Sequence, residues 1–169
     1  CDLFTGLFTA NAALAALAYR HRTGEGQHID CALLDSQVAM LANQSANWLN
    51  AEFCPTRMGN HHPSVVPYTV YKAADGFVIV ACGNDKQFIR LTAALGLPAL
   101  ADDPAFMTNE ARIKNRDRLD TELGNAVAAF DRETVITLLE KAGVSCGPIN
   151  DIAEVFDDPQ VQARGLRID

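Results

Sequence analysis

The chain lacks a long hydrophobic run. Its longest apolar stretch, 3–19, is punctuated by threonine and asparagine, as at Thr9 and Asn11. It is shorter than the roughly 20 apolar residues that a membrane-spanning helix needs, and it has no basic flank of the kind found in signal peptides. We therefore expect no membrane-spanning segment and no membrane partner.

Paired cysteine motifs are also missing. The five cysteines are odd in number, widely spaced and free of any Cys-x-x-Cys pair. They are Cys1, Cys31, Cys54, Cys82 and Cys146. This pattern predicts buried free thiols in a reducing compartment, which favours a cytoplasmic location. The four histidines do not combine with the cysteines at zinc-finger spacing, so we expect no metal site.

An excess of basic charge is absent as well. Against 21 acidic residues there are 14 basic ones, for a formal net charge of −7. This balance disfavours nucleic acid and anionic membrane surfaces as partners, although a local positive pocket could still bind a small anion. An apolar fraction of 49% predicts a packed globular core. Position 1 has no initiator methionine, and we expect the chain to begin inside a longer protein.

The common nucleotide-binding and hydrolytic motifs do not occur. The chain has no P-loop, no complete Gly-x-Gly-x-x-Gly, no Gly-x-Ser-x-Gly and no His-Glu-x-x-His. The glycine pair in Thr23-Gly24-Glu25-Gly26 precedes a predicted strand instead of following one, which indicates a turn. These patterns therefore predict no cofactor-binding residue.

What the chain does contain begins with a carboxylate ahead of an alanine-rich helix. Asp2 precedes the segment Gly6–Tyr19, in which six alanines allow other backbones to pack closely, and this composition predicts a buried helix. Asp2 lies within about one turn of the helix start, where unpaired N–H groups and the positive end of the helix dipole favour an anion. A purely structural alternative is that Asp2 only caps or stabilises the helix.

The following segments predict one part of an α/β layer. Gln27–Leu33 has the composition of a short strand, and Gln37–Ala51 carries apolar residues at helical spacing. With the first helix they give a helix–strand–helix order. Phe53–Pro67 is a loop by composition, because proline, glycine, histidine and asparagine dominate it.

This loop contains a cluster of residues that can bind an anion. Gly59, Asn60, His61 and His62 combine a small flexible residue with an amide and two imidazoles. Such groups can donate hydrogen bonds to a carboxylate or an oxyanion. The alternative is a polar loop that only joins two domains.

The second part of the chain predicts a compact α+β unit. Asp75-Gly76 separates the strand-like runs Tyr68–Lys72 and Phe77–Cys82, which is the pattern of a β-hairpin. Further predicted elements are helices from Asn84 or Asp85 to Leu95, over 119–130, over 132–142 and from Asp151 onward, and an edge strand at 144–149. The four cations of 112–118 favour a solvated helix face.

Several short motifs follow one another along nearly the whole chain. The first runs from Asp2-Leu3-Phe4-Thr5-Gly6 through the alanine-rich helix to Arg20-His21-Arg22-Thr23-Gly24-Glu25-Gly26-Gln27-His28-Ile29-Asp30. The later ones are Leu34-Asp35-Ser36, Gly59-Asn60-His61-His62-Pro63, Val66-Pro67-Tyr68, Asp75-Gly76, Gly83-Asn84-Asp85, Thr108-Asn109 with Arg112 and Asn115-Arg116, Gly147-Pro148-Ile149-Asn150 and Asp158-Pro159-Gln160-Val161. Together they resemble the family III acyl-CoA transferases, a superfamily of formyl-CoA, carnitine-CoA and succinyl-CoA-dependent transferases and α-methylacyl-CoA racemases.

The resemblance implies an α/β fold and a division of this chain into four parts. These are a partial large α/β domain with a catalytic aspartate (1–52), a linker and substrate loop (53–67), a small α+β domain (68–150) and a helical segment that returns toward the large domain (151–169). It also implies a homodimer for the full-length protein and CoA-nucleotide contacts that lie outside this chain. We therefore expect the 169-residue piece to be inactive alone.

The resemblance also assigns roles to residues. Asp2 occupies the place of the nucleophile, which carries CoA between carboxylic acids through an aspartyl anhydride and an aspartyl-CoA thioester. Gly59, Asn60, His61 and His62 occupy the place of a glycine-rich loop that covers the aspartate, although here the loop is not a run of glycines. The motifs around this loop look most like members that use succinyl-CoA with short-chain carboxylic or dicarboxylic acids. The CoA thioester is a substrate, and no separate cofactor is implied.

Two alternatives remain open at this stage. In an α-methylacyl-CoA racemase the same aspartate works with a histidine as a proton-transfer pair, and that histidine would lie upstream of this chain. In a non-catalytic interaction module, Asp2 would be no more than a helix cap, since a fold can persist without its function.

Overall fold

A computed structural model describes residues 1–168. These residues form ten helices and three strands. The helices are α1 (Asp2–Thr23), α2 (Leu33–Ala39), α3 (Asn43–Ala51), α4 (Asp85–Ala94), α5 (Ala99–Asp102), α6 (Asn109–Lys114), α7 (Arg116–Val127), α8 (Arg132–Lys141), α9 (Ile152–Asp157) and α10 (Pro159–Ala163). The strands are β1 (Tyr68–Lys72), β2 (Phe77–Ala81) and β3 (Ser145–Pro148). The chain divides into a first unit, 1–57, and a second unit that begins at Met58.

The first unit is dominated by α1. This helix ends where Gly24, with a left-handed φ of 79°, donates its N–H to the Arg20 carbonyl, a common C-terminal cap. The prediction of a buried helix is wrong in this chain. Within α1 only Thr5 is buried, whereas Leu3 is 85% and Leu7 is 68% exposed. The alanine-rich composition permits close packing, but within the described residues most of α1 is exposed.

The predicted strand Gln27–Leu33 does not form either. The segment is irregular and exposed up to Ala32, and α2 already begins at Leu33. A strand needs a neighbour for its backbone hydrogen bonds, and the first unit contains no other strand. The predicted helix Gln37–Ala51 is divided between α2 and α3, with Ala42 between them at a left-handed φ of 47°.

The second unit is built on an antiparallel sheet in the order β1-β2-β3. Tyr68 pairs with Ala81 and Lys72 with Phe77, so the predicted Asp-Gly hairpin is confirmed. The predicted edge strand is also confirmed, because β3 pairs only with β2 and carries Pro148 at its end, opposite Val78. The described residues therefore agree with the predicted α/β class and contain a small antiparallel sheet.

One face of the sheet and three helices enclose the core. Tyr71 and Val78 are paired across β1 and β2, and both side chains are buried. The helices α4, α7 and α8 bury the apolar side chains Phe88, Leu91, Leu119, Leu123, Val127, Val135 and Leu139. The predicted helix starts at Asn84 and Asp151 are real caps, since each side chain accepts a backbone N–H of its first turn. This closed core supports the loop that precedes β1.

Candidate active site

Asp2 lies in the first turn of α1 with an exposed side chain. The helix begins without a side-chain cap, and the Asp2 carboxylate accepts a 3.5 Å contact from the Sγ of Cys1. Asp2 therefore forms no side-chain cap, and of the structural alternative only stabilisation through the helix dipole applies. The positive end of this 22-residue helix favours negative charge at Asp2, while its carboxylate oxygens face solvent.

Residues 58–67, which we call the substrate loop, open the second unit. The N–H of His61 donates to the Met58 carbonyl at 3.2 Å and closes a turn. Gly59 sits in this turn at φ 60°, a conformation that favours glycine. Gly59 and Asn60 are both exposed and form the loop tip. The tip therefore offers an accessible amide side chain and backbone N–H groups.

His62 is held by its neighbours in the loop. Its backbone N–H donates to the Tyr68 carbonyl at 2.9 Å, and its ring stacks on that of Tyr68 with 5.1 Å between centroids. The ring Nδ1 accepts the N–H of Ser64 at 3.1 Å. Because Nδ1 acts as an acceptor, the ring proton in this arrangement belongs on Nε2. The His62 ring is thus held in one orientation, and its Nε2–H group remains available as a hydrogen-bond donor.

His61 faces a partly buried carboxylate. Its Nδ1 lies 3.4 Å from Oδ2 of Asp120, which is long for a hydrogen bond, and this buried nitrogen has no other polar partner in residues 1–168. The other Asp120 oxygen accepts the Tyr71 hydroxyl at 2.6 Å. Burial and the adjacent Asp120 charge raise the pKa of Tyr71, which keeps its hydroxyl protonated as a donor. The His61 side chain is 35% exposed, so its ring also reaches solvent.

Sequence reasoning missed the residues that bind the backbone of the substrate loop. Asn109 accepts the N–H of Val66 at 3.0 Å and donates to the Ser64 carbonyl at 2.8 Å. Arg116 donates to the carbonyls of His62 at 3.0 Å and of Pro63 at 3.3 Å. A signal for them was present in the sequence, because Asn109, Arg112 and Arg116 belong to the family-like motif at 108–116.

Arg112 corrects the prediction of a solvated helix face. Its side chain is 0% exposed, and its Nε donates to the Val66 carbonyl at 2.6 Å. The remaining guanidinium nitrogens donate to the Phe106 carbonyl at 2.9 Å and to Asp85 at 2.7 Å. A buried guanidinium is tolerated when its donors are paired in this way. The predicted exposure holds for Lys114 and Arg118, whose side chains are mostly in solvent.

The cysteines are free, but the prediction that they are buried holds only for the second unit. Cys1, Cys31 and Cys54 are exposed, while Cys82 is buried and Cys146 is partly buried. Burial raises the pKa of Cys82 to about 11, so this thiol is protonated and unreactive near neutral pH. The structure therefore gives Cys82 a packing role and no nucleophilic one.

Metal sites and membrane-spanning helices are both absent from the described part of the chain. Within 1–168, no three His, Cys, Asp or Glu side chains are arranged so that they could hold a metal ion. In the same range, no helix is both long and apolar enough to cross a bilayer. Of the predicted site residues, Asp2 belongs to the first unit, and Gly59, Asn60, His61 and His62 belong to the second.

Comparison with known proteins gives consistent matches along the whole chain. The family model described as CoA-transferase family III matches residues 1–169. A succinate–glutarate CoA-transferase of Agrobacterium fabrum is 48% identical over 99% of this chain and 42% of its own length. A succinyl-CoA:glutarate CoA-transferase of Mus musculus is 41% identical over 98% of this chain and 38% of its own length.

Solved structures agree with the sequence matches. The crystal structure of a CAIB/BAIF family protein from Brucella suis has a TM-score of 0.84 and 48% identity, and the match covers 98% of this chain and 44% of that one. The chain thus spans about two fifths of the length of the relatives it matches. From the family model, the relatives and the shared fold, we conclude that this chain belongs to CoA-transferase family III.

Proposed function

We propose that the full-length protein carrying this chain is an acyl-CoA:carboxylate CoA-transferase that moves CoA between short-chain dicarboxylic acids, with succinyl-CoA as a donor. The observation that carries the proposal is the 48% identity, over 99% of the chain, to a transferase named for succinate and glutarate. The relatives named for mesaconate in Haloarcula hispanica and for oxalate in Acetobacter aceti support the same reaction with other acids.

Asp2 is the proposed nucleophile. One carboxylate oxygen attacks the thioester carbonyl carbon of succinyl-CoA, the carbon–sulfur bond breaks, and CoA thiolate leaves a mixed anhydride on Asp2. The thiolate then attacks the Asp2 carbonyl carbon, releases succinate and forms an aspartyl-CoA thioester. No proton is gained or lost in these steps. The exposure of Asp2 at the positive end of α1 supports this role.

The acceptor acid completes the cycle. Its carboxylate attacks the aspartyl-CoA thioester, expels CoA thiolate and forms a second anhydride on Asp2. The thiolate then attacks the acyl carbonyl of that anhydride, which gives the new acyl-CoA and the free Asp2 carboxylate. A carboxylate relay conserves the activation of the thioester, whereas attack by water would lose it.

The substrate loop is proposed to serve the anionic groups of this reaction. Each step passes through a tetrahedral oxyanion, and one well-placed hydrogen-bond donor to such a centre contributes on the order of 3 kcal/mol. The loop tip supplies backbone N–H groups and the Asn60 amide, and His62 supplies an Nε2 donor. Because both imidazoles are oriented by contacts inside the second unit, they support a binding role for Gly59, Asn60, His61 and His62.

The decisive experiment follows CoA exchange in the full-length protein. With succinyl-CoA and glutarate, wild type should form glutaryl-CoA, and Asp2→Asn should lower kcat on the order of 10³-fold or more, because the amide is a poor nucleophile. Hydroxylamine added during turnover should convert Asp2 to a hydroxamate detectable by peptide mass spectrometry. Transfer at the wild-type rate by Asp2→Asn would contradict the proposal.

Asp117→Asn is the matched control. Asp117 is likewise an exposed aspartate in the first turn of a helix, α7, and the substitution should leave kcat within about twofold. The racemase alternative is tested with a 2-methylacyl-CoA in deuterated water, where deuterium uptake at C2 without CoA exchange would replace the transferase assignment. The isolated 169-residue chain should show no transfer.

A further inference from the structure

The backbone of the substrate loop is bound mainly by side chains from α6 and α7. The loop base, His62–Val66, forms no strand, so its polar backbone groups need other partners. Four of its five carbonyls, those of His62, Pro63, Ser64 and Val66, accept hydrogen bonds from Asn109, Arg112 or Arg116. The N–H of Val66 is bound by Asn109 as well.

The buried member of this set, Arg112, connects the loop base to two other elements. Besides the Val66 carbonyl, the same guanidinium binds the Asp85 carboxylate, in the first turn of α4, and the Phe106 carbonyl. The guanidinium carbon also lies 4.5 Å from the centroid of the Phe88 ring. Burying a guanidinium is costly unless its donors are paired, and here all three of its nitrogen atoms have an acceptor. Such a contact permits one position of the Val66 backbone.

The loop tip lacks comparable support. Gly59 and Asn60 are exposed, and within residues 1–168 their side chains and N–H groups make no hydrogen bond to α6 or α7. His61 and His62 lie where the free tip meets the bound base. The carbonyl of His62 is fixed by Arg116, and His61 is placed beside Asp120, one helical turn further along α7.

We propose that Asn109, Arg112 and Arg116 form a loop clamp that positions His61 and His62 for the transfer reaction, leaving only the tip free to adapt to the substrate. The clamp residues are positioning residues, since they act through the loop backbone. This inference rests on the proposed function of the loop. Its physical part, which is that these side chains hold the loop base in place, can be measured independently of activity.

The experiment compares Asn109→Ala and Arg116→Ala with Arg118→Ala in the full-length protein. Arg118→Ala is the matched control because it removes the same charge from α7. The Arg118 side chain contacts Asp103 and the Phe106 ring and not the loop. Asn109 and Arg116 are chosen over Arg112 because Arg112 is fully buried, and its replacement by alanine would also destabilise the folded state. Hydrogen exchange of the Val66 and Ser64 amides, kcat, KM for each substrate and the melting temperature are measured.

We expect Asn109→Ala to speed exchange at Val66 by roughly tenfold or more, since one hydrogen bond to a partly buried donor is lost. The amides of Val78 and Val80 in β2 should keep their protection. We expect kcat to fall by about 10- to 100-fold in both clamp variants with KM for the acyl-CoA within about twofold, because small displacements of a catalytic loop cost rate more than binding. Arg116→Lys, which can reach one carbonyl, should recover part of kcat.

Three results would overturn the clamp. The first is unchanged Val66 exchange in Asn109→Ala, which refutes the physical part whether or not the protein transfers CoA. The second is a kcat in Asn109→Ala and Arg116→Ala equal to wild type when exchange is accelerated. The third is an equal loss of kcat in Arg118→Ala. If wild type transfers no CoA at all, the proposed function fails, and the exchange data alone decide whether the loop is clamped.

Discussion

The two units of the chain use their apolar residues in opposite ways. In the second unit, Leu119, Leu123 and Val135 are fully buried between helices and sheet. In the first unit, Leu3 and Leu49 are 85% and 78% exposed, and α1 buries little more than Thr5. Both units have the apolar content of a folded domain, but within the described residues only the second buries its apolar side chains in a core. The difference shows that hydrophobic composition predicts that apolar residues need to be buried. It does not predict which segment packs against them.

The sharpest way to break this comparison is to separate the units. A piece that begins at Met58 should unfold in one cooperative transition, because its core is closed by its own helices and sheet. A piece limited to residues 1–57 should show no cooperative transition, since it encloses almost no buried apolar surface. Circular dichroism during urea titration measures both. A sigmoidal transition in 1–57 alone would show that the first unit also forms its own core.

Leucine truncation compares the units at single positions. Leu123→Ala removes a fully buried side chain and should lower the free energy of unfolding by about 2–5 kcal/mol. Leu14→Ala changes a side chain that is mostly in solvent and should alter it by no more than about 0.5 kcal/mol. Urea unfolding of the same chain gives both values. Equal losses would mean that α1 is covered in solution by a surface that the described residues do not provide.

Thiol reactivity provides a chemical comparison. The three cysteines of the first unit are exposed, whereas burial raises the pKa of Cys82 to about 11. At about pH 8, Cys31 should therefore react with iodoacetamide at least 100-fold faster than Cys82, because each pKa unit lowers the thiolate fraction about tenfold. Peptide mapping measures the two rates. Comparable rates would show that the second unit opens readily.

The same pKa shift predicts the alkaline behaviour of the second unit. Because the folded state raises the pKa of Cys82, folding favours the protonated thiol, and this stabilisation is present below the ordinary thiol pKa. It should be lost as the pH rises through about 11. Tyr71, whose pKa is raised by burial and by Asp120, acts in the same direction. Cys82→Ala should weaken this alkaline loss of stability in denaturant titrations, and an unchanged pH profile would contradict the assignment.

The smallest expected effect concerns a glycine in each unit. Gly59 has a left-handed φ of 60°, so Gly59→Ala should lower the free energy of unfolding by about 1 kcal/mol although the site has open space. Gly26 has equally open surroundings and no left-handed φ, so Gly26→Ala should be neutral or slightly stabilising. Thermal melts of the two variants test this contrast. Equal effects would indicate that the turn at the loop tip is not maintained in solution.

The elements that were predicted correctly are those with local causes. Asp75-Gly76 determines a turn through its own backbone preferences, and Asn84 and Asp151 cap helices through hydrogen bonds that span three residues. The incorrect predictions concern features that depend on a distant partner. Gln27–Leu33 has strand composition but no strand to pair with in its unit, and α1 has the composition of a buried helix without a covering surface. The division into four parts, 1–52, 53–67, 68–150 and 151–169, stays a prediction.

The candidate site divides in the same way. The motif order was sufficient to indicate the family and to select Asp2 and the loop residues Gly59 to His62, because those residues are adjacent in sequence. It did not reveal the clamp, since Arg112 resembles the exposed cations beside it and its partner Val66 is 46 residues away. Only the motif that contains Asn109, Arg112 and Arg116 pointed to these residues, and it did not show what they bind.

By itself, then, the sequence determined the family, the helices that become α4, α7 and α8, the hairpin and the choice of Asp2 as the candidate nucleophile. The tertiary structure decided which charges are buried, which ring nitrogen of His62 accepts a hydrogen bond and which apolar residues remain uncovered. The physical reason is range. Turns, caps and amphipathic spacing depend on neighbours within about one helical turn, whereas burial and the pairing of a buried charge depend on segments that meet only when the chain has folded.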